Sequence, residues 1–541
     1  MSEQPRNLDL LTRIEKLNSI GIALSAEKDT ERLLEMILTG TKAITQADGG
    51  TLYTLNEDSQ LHFEIIRTSS LDIRMGGTTG VKVNFAPIPL YLPDGTPNEH
   101  TVVVFAALHG ETINIPDVYE EKGFDFSGPK AFDKKTGYRT KSLLTIPMKN
   151  HENDIIGVLQ LINKHDDEAD ETVAFSREDQ QLAESLTSQA AVALTNNKLI
   201  NDLRELFDAF TKSIAFAIDE KSPYTGGHCN RVPTLAMMLA DKTSQTQNGP
   251  LKNFVMSEDE RYTMELASWL HDCGKVTTPE YVVDKATKLE TICDRIHKID
   301  TRFEVIKRDA HIRRLERLAE AGEGQREIIE DDYEKEIRQI EEDKAFLHKS
   351  NTGGEFMAPE DQERVKQIGT RTWKNTQGEV APFLTENEIY NLQIPRGTLT
   401  PEEFEVIKNH VVMTHKMLAA LPFPKNMKDV PEYAGGHHER MDGKGYPNGL
   451  TREQMSVPAR IMAIADIFEA LTADDRPYKK AKKLSESLKI LGFMKKDNHI
   501  DPDLFDIFIN ERIYLDYARE FLDPKQIDID DPSEIPGYPF D

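Results

Sequence analysis

His437-His438-Glu439-Arg440-Met441-Asp442-Gly443-Lys444-Gly445-Tyr446-Pro447 sets two adjacent imidazoles ahead of a glycine-rich turn. Adjacent histidines can do no more than cap a helix, so their meaning depends on what else the chain supplies. Far upstream stands His271-Asp272-Cys273-Gly274-Lys275, closing an apolar helical run with Leu266, Ala267 and Leu270. His410 lies between the two, on a helix whose start is marked by Thr400 as N-cap and by the acidic Glu402 and Glu403 of its first turn. His228 precedes them all in Gly226-Gly227-His228-Cys229-Asn230-Arg231, and Asp466 follows within Ile464-Ala465-Asp466-Ile467-Phe468. A carboxylate among such apolar neighbours is costly to bury unless something pairs with it. Imidazole and carboxylate are the usual ligands of borderline transition metals. A lone His-Asp pair is commonly structural, but this ordered set in one helical stretch points to a metal-dependent enzyme.

Composition narrows the partners. The 541 residues include 66 Lys plus Arg against 93 Asp plus Glu, a formal charge of -27 at pH 7. That length allows roughly two to four domains, each with its own core. Such a surface repels DNA, RNA and anionic membranes, which are bound largely through Lys and Arg. An anionic small substrate stays open where metals and a few local cations reverse the potential in one cleft. The three cysteines, Cys229, Cys273 and Cys293, are too sparse for a disulfide framework. Cys229 follows His228 directly and Cys273 stands two residues after His271, and both read as compact buried fillers rather than ligands. The start, Met1-Ser2-Glu3-Gln4-Pro5-Arg6, has no signal-peptide core. Apolar runs such as residues 101–108 are far shorter than the ~20 residues of a membrane helix. A soluble, cytoplasmic protein is expected.

Along the chain, Leu11, Ile14, Leu17, Ile20, Leu24, Leu33, Met36 and Ile37 carry a helical period. Strands are expected at residues 50–55, 61–66, 101–105, 143–147 and 155–161, with a polar hairpin turn at 150–154. Helix, antiparallel sheet and helix predict a small α+β sensor module. Leu182, Leu186, Ala190, Ala193, Leu199, Leu203, Leu206 and Phe210 then form a stripe along residues 177–219. That stripe suits a parallel coiled coil in a homodimer, or a single helix packed on its own domain. From about residue 205 to 515 the pattern is almost wholly helical. Within it, residues 301–349 are densely charged and broken at Ala321-Gly322-Glu323-Gly324. Phe303, Ile306, Ile312, Leu315 and Leu318 could face Ile328, Ile329, Tyr333, Ile337 and Ile340 across a solvated helical hairpin.

Four segments carry a resemblance: Gly227-His228, His271 to Lys275, His437-His438-Glu439 with Asp442-Gly443-Lys444-Gly445-Tyr446-Pro447, and Arg476-Pro477-Tyr478-Lys479. In this order they resemble the HD-GYP family of HD-domain phosphohydrolases over about residues 205–515. The resemblance implies hydrolysis of cyclic di-GMP to linear pGpG and on to GMP. It implies that Asp272 bridges two divalent metals, Fe or Mn, with His228, His271 and Asp466 completing one site and His410, His437 and His438 the other. Two such ions can share a hydroxide and hold it in line with phosphorus. Lys275 is placed to stabilise a phosphate oxygen, although a helix C-terminal cation is the plainer reading. Tyr446, Arg476, Lys479 and Lys444 are the candidate substrate contacts. Some relatives hold a third metal through a Glu four residues before the first histidine; here Tyr224 stands there, so that ligand is missing. Ser222 replaces an acidic residue, Ala473-Asp474-Asp475 adds a residue before Arg476, and the connection to His410 is lengthened by an insertion of about 296–391.

Phe132 to Leu144, followed by Ile156-Gly157-Val158-Leu159-Gln160-Leu161-Ile162-Asn163-Lys164, is similar to GAF domains of cyclic-nucleotide phosphodiesterases and cyclases. In that family an Asn-Lys pairs with a later Phe and Asp-Glu; here Asn163, Lys164, Phe175 and Asp179 match, while Gln180 replaces the Glu. Lys164 and Asp179 then form a structural clasp, and a small-molecule ligand in this domain is left open. The expected chain is multidomain. An N-terminal helix (1–29) precedes an α+β GAF domain with antiparallel sheet and flanking helices (30–195). A long linker helix (177–219) then leads to an all-α HD-GYP domain (205–515) with a helical-hairpin insertion, and a C-terminal tail (516–541) closes the chain. The function this implies is a GAF-regulated cyclic di-GMP phosphodiesterase. Alternatives are a phosphodiesterase for cyclic GMP-AMP or another nucleotide, and a non-catalytic signalling scaffold.

Overall fold

The computed structural model describes residues 3–541 apart from 167–168, 222–226, 355, 475–480, 530, 537 and 539–541, and only the backbone of residues 3–10. It divides into two compact units, residues 1–206 and 207–541.

The first unit begins with helices α1 (Glu3–Ala26) and α2 (Thr30–Thr45). Asp29 caps α2 by accepting from the Arg32 N–H. Strands β1 (Ala47–Leu55), β2 (Gln60–Thr68), β3 (Ile73–Gly76) and β4 (Ile88–Pro89) follow, then α3 (Val102–His109), β5 (Ile113–Ile115) and α4 (Ser127–Thr136). The unit closes with β6 (Leu143–Lys149), β7 (Ile155–Asp166), β8 (Glu171–Val173) and the start of α5 (Arg177–Asp219). The sheet runs β3-β2-β1-β7-β6-β5, with β4 added on β2 and β8 on β7, and every pairing is antiparallel. Alternation along each strand gives it two apolar faces. Leu52, Ile65, Leu144, Ile146, Leu159 and Leu161 pack under Leu17, Leu24, Leu33, Ile37, Leu182 and Leu186 of the helices. Tyr53, Leu61 and Val158 meet Val103, Val104 and Ala107 of α3 on the other face.

Residues 101–105, expected as a strand, instead open α3. Val102-Val103-Val104 has strand propensity, but a continuous apolar run fits a buried helix equally well. Here Val102, Val103, Val104, Ala106 and Ala107 are all buried, and Gly110 in the left-handed region (φ 65°) ends the helix with its N–H on the Ala106 carbonyl. The Lys164–Asp179 clasp is present, and Arg13 of α1 joins it on the other carboxylate oxygen. The stripe on α5 changes character along its length. Leu182, Leu186 and Ala190 are buried in the unit's own core, whereas Leu199, Leu203, Leu206 and Phe210 are more than half exposed.

The second unit is mostly helical. It contains α6 (His228–Gln245), α7 (Glu258–Leu270), α8 (Glu280–Val283), α9 (Ile296–Glu320), α10 (Arg326–Asn351) and α11 (Pro359–Gly369). A small hairpin, β9 (Thr372–Lys374) and β10 (Val380–Pro382), departs from the all-helical expectation. Helices α12 (Glu386–Leu392), α13 (Pro401–Ala419), α14 (Val430–Gly435), α15 (Val457–Thr472), α16 (Leu484–Lys496), α17 (Pro502–Asn510) and α18 (Ile513–Phe521) complete it. Its main core joins α6, α7 and α14 to α18. The segment expected as a C-terminal tail from residue 516 joins this core among its described residues, with Tyr517, Ala518 and Ile535 buried in it. The insertion is likewise more than a solvated arm. Phe303, Ile340 and Leu347 of the α9–α10 hairpin share a second core with Val365, Ile368, Phe383 and Leu392. Ile312, Leu315 and Ile328, expected to face inward, are half or more exposed, whereas Ile329 beside them is buried. Among the described residues no helix is long and apolar enough to cross a membrane.

Candidate metal centre

Asp272 sits just past the C-terminus of α7, whose N-terminus is fixed by a capping box between Ser257 and Glu260. Leu266 and Leu270 bury the helix, carrying His271 and Asp272 inward to 0% and 2% exposure. The next turn lies directly on α13. The Gly274 N–H donates to Thr414 Oγ1 at 2.9 Å, and a Cβ on Gly274 would lie 2.0 Å from the His410 carbonyl oxygen. Glycine is therefore what lets α13 approach closely enough to bring His410 to Asp272.

The two oxygens of Asp272 face different histidines. Oδ2 lies 3.3 Å from His228 Nε2 and 3.3 Å from His271 Nε2. Oδ1 lies 3.3 Å from His410 Nε2 and 3.9 Å from His437 Nε2. Asp466 Oδ1, from α15, lies 3.5 Å from His228 Nε2 and 3.9 Å from His271 Nε2. His438 joins His410 and His437, with its ring 4.3 Å from the His437 ring.

Three of these rings are oriented in one way. Nδ1 of His271, His410 and His437 donates to the backbone carbonyl three residues earlier, of Ser268, Ile407 and Ala434, at 2.8, 2.5 and 2.6 Å. A carbonyl only accepts, so Nδ1 carries a proton and Nε2 points inward. Nε2 of His228, His271, His410 and His437 and Oδ1 of Asp272 are buried with no hydrogen-bond partner. Buried polar atoms are rarely left so. Here the orphaned atoms converge, and ligand atoms of His410, His437 and His438, of His228, His271 and Asp466, and of His271, Asp272 and His437 each lie within 4.8 Å of one another. This donor set fits a pair of divalent cations sharing Asp272.

The electrostatics agree. Burial opposes ionisation of Asp272, but the Lys275 ammonium and His271 outweigh it and hold the carboxyl well below the usual range. Burial likewise works against Asp466, yet the surrounding imidazoles bring it to about 2. Burial depresses His437 well below the ordinary imidazole value and brings His438 to about 4, so both are neutral at pH 7, the form in which an imidazole can ligate. Lys275 Nζ donates to Asp272 Oδ2 at 2.5 Å and lines the cleft.

The glycine-rich turn closes over His438. Glu439, buried, accepts from the Asn448 and Leu450 N–H groups, and a Cβ at Gly445 would strike Glu439 and Arg440 within 2.6 Å. The Tyr446 ring stacks on His438 at 4.7 Å and 19° and lines the cleft, whose volume is about 320 Å³. Lys444 is not among the cleft-lining residues; its side chain is 77% exposed and pairs with Asp442. Arg476, Lys479, Tyr224 and Ser222 lie outside the described residues. Glu469 and Arg231 line the cleft and were not singled out from the sequence. The signal was there, since each stands three residues beyond a singled-out group, Asp466 or His228, and so shares its helix face.

Comparison with known proteins bears on both units. The GAF domain family matches residues 29–194, and the HD domain family matches residues 385–504. The chain carries a GAF domain and an HD domain. The HD match takes in His410, His437, His438 and Asp466, while His228, His271 and Asp272 lie upstream of it. A probable cyclic di-GMP phosphodiesterase of Vibrio cholerae is 35% identical over 141 residues, 25% of this chain and 31% of that protein. A 3'3'-cGAMP-specific phosphodiesterase of the same species is 33% identical over 156 residues, 27% of this chain and 34% of the relative. A cyclic di-GMP phosphodiesterase of Thermotoga maritima is 36% identical over 126 residues, 23% and 33% of the two chains. The chain thus spans about a third of the length of these relatives.

Proposed function

We propose that the HD domain is a metal-dependent phosphodiesterase of cyclic dinucleotides, with cyclic di-GMP as substrate and pGpG, then GMP, as product. The observation that carries this is the division of Asp272, one oxygen facing His228 and His271 and the other facing His410 and His437. Asp272 would bridge two ions, His228, His271 and Asp466 completing one position and His410, His437 and His438 the other. The mixed imidazole and carboxylate set suits Fe or Mn. Two bound ions would supply a nucleophile from water at neutral pH and offset charge developing on the phosphoryl oxygens.

The chain's own residues do the rest. The cleft holds Asp272, Asp466 and Glu469 against Lys275 and Arg231, and bound divalent cations would add the positive charge that favours a phosphodiester there. Lys275, kept charged because Asp272 outweighs the cost of its burial, would donate to a phosphoryl oxygen. Tyr446 fixes His438 by stacking and walls the cleft beside the reacting phosphate. Roles for Arg476, Lys479 and Lys444 rest on the HD-GYP resemblance alone.

The names of the relatives support both cyclic di-GMP and cyclic GMP-AMP as candidates, so substrate choice is the second reading. Anaerobic purification with metal analysis, then turnover of each cyclic dinucleotide, tests both. Asp272→Ala should abolish hydrolysis while the fold is retained; retained hydrolysis would falsify the bridging role.

Two further parts of the proposal concern the other unit and α5. Leu199, Leu203, Leu206 and Phe210 follow one another at spacings of four, three and four with more than half their surface exposed, which supports a homodimer paired along α5. On the sheet face covered by α3, a cavity of about 490 Å³ lined by Tyr53, Phe63, Phe126, Phe132 and Gln160 has the size of a small-molecule site. A ligand there would regulate only by binding one arrangement of the domain better than another.

A further inference from the structure

His228 is held differently from its neighbours. His271, His410 and His437 each follow a helical turn, which presents a carbonyl three residues back to Nδ1. His228 opens α6, directly after Gly227 in the left-handed region (φ 85°). Its Nδ1 is met instead by Glu469 Oε2 of α15 at 2.5 Å. Glu469 is 1% exposed, one helical turn beyond Asp466, and its other oxygen accepts from Arg231 Nε at 2.7 Å. An ionised carboxylate only accepts, so Nδ1 carries a proton and Nε2 points toward Asp272 and Asp466. A carboxylate behind a ligating imidazole holds the ring and raises its basicity more than a neutral carbonyl does.

We propose that Glu469, clamped by Arg231, is a positioning residue that acts through His228 and makes the two metal positions unequal, the His228–His271–Asp466 position being the more tightly held. The inference rests on the metal-centre reading above. Glu469→Gln keeps the volume and an accepting oxygen but removes the charge, so it should weaken one position and leave the other. Outer residues of this kind are worth roughly 10–100-fold in metal affinity.

The test is a Mn(II) titration of the metal-stripped full chain, followed by equilibrium dialysis and electron paramagnetic resonance. The parent should bind two ions and show the exchange-coupled signal of a pair. Glu469→Gln should bind one of the two about 10–100-fold more weakly and show an uncoupled Mn(II) signal at one equivalent of excess metal. Arg231→Gln, which loosens the clamp from outside the ligand set, should shift the same position in the same direction by less, and covers the case in which Glu469→Gln does not fold. Two ions of unchanged affinity in a folded variant, with the coupled signal intact, overturn the positioning role. A parent chain that binds no metal overturns the metal centre itself.

Discussion

Gly274→Ala tests the close approach that assembles the centre. The added Cβ would lie 2.0 Å from the His410 carbonyl oxygen, 2.5 Å from the Thr414 nitrogen and 2.8 Å from Thr414 Oγ1, where ordinary contacts begin at 3.4 Å. Two of these atoms are backbone of α13, so no rotamer change relieves the clash. The helix must retreat by at least about 1 Å, since real Cβ contacts almost never fall under 3.0 Å. That movement carries His410 away from Asp272 Oδ1, now 3.3 Å from its Nε2. Metal–ligand distances tolerate only about 0.2 Å. The overpacking costs about 1–3 kcal/mol of stability, and a displacement of about 1 Å in a catalytic group costs roughly 100-fold in rate. Metal analysis, thermal melting and cyclic di-GMP turnover read the three effects: near one ion per chain, a lowered Tm and turnover reduced about 100-fold. A Gly274→Ala chain with two ions and parental turnover would refute the account of how α13 and the His271–Asp272 turn fit together.

Two other expectations concern stability and assembly. Asp179→Asn removes the carboxylate clasped by Lys164 and Arg13 and should cost about 2 kcal/mol at pH 7. Burial opposes the ionised form, but Lys164, the Ser176 N–H and Arg13 outweigh it and hold the carboxyl below the usual carboxylate range. The clasp therefore contributes fully above the unfolded pKa of about 4 and fades as pH falls through the folded value. Urea unfolding should show the parent–variant gap shrinking below about pH 4; a gap constant down to about pH 2 would contradict this. Leu203→Glu with Leu206→Glu should convert a dimer to a monomer by light scattering while each unit keeps its circular dichroism; an unchanged dimer mass removes α5 from the interface.

The chemistry of the centre was written in residue types. Seven imidazole and carboxylate groups, His228, His271, Asp272, His410, His437, His438 and Asp466, stand out in the sequence because such side chains are rare in apolar helical surroundings. The GAF module was legible from strand alternation and the Asn163–Lys164 and Asp179 pattern. Where one-dimensional patterns are degenerate, reading failed. Val102-Val103-Val104 could enter a strand or a buried helix, and the packing of α3 on the sheet decided it. Ile312, Leu315 and Ile328 keep a helical period yet face solvent, because a period does not say how much of a helix face its partner covers.

What the sequence alone determined is the two-part architecture and which imidazoles and carboxylates are candidate donors, since side-chain type and hydrophobic period are local properties of the chain. Only the tertiary structure decided which oxygen of Asp272 meets which histidines, that Gly274 must be small, and that Glu469 stands behind His228. These depend on how α6, α7, α13 and α15 cross, and packing between distant segments fixes distances that no spacing along the chain encodes.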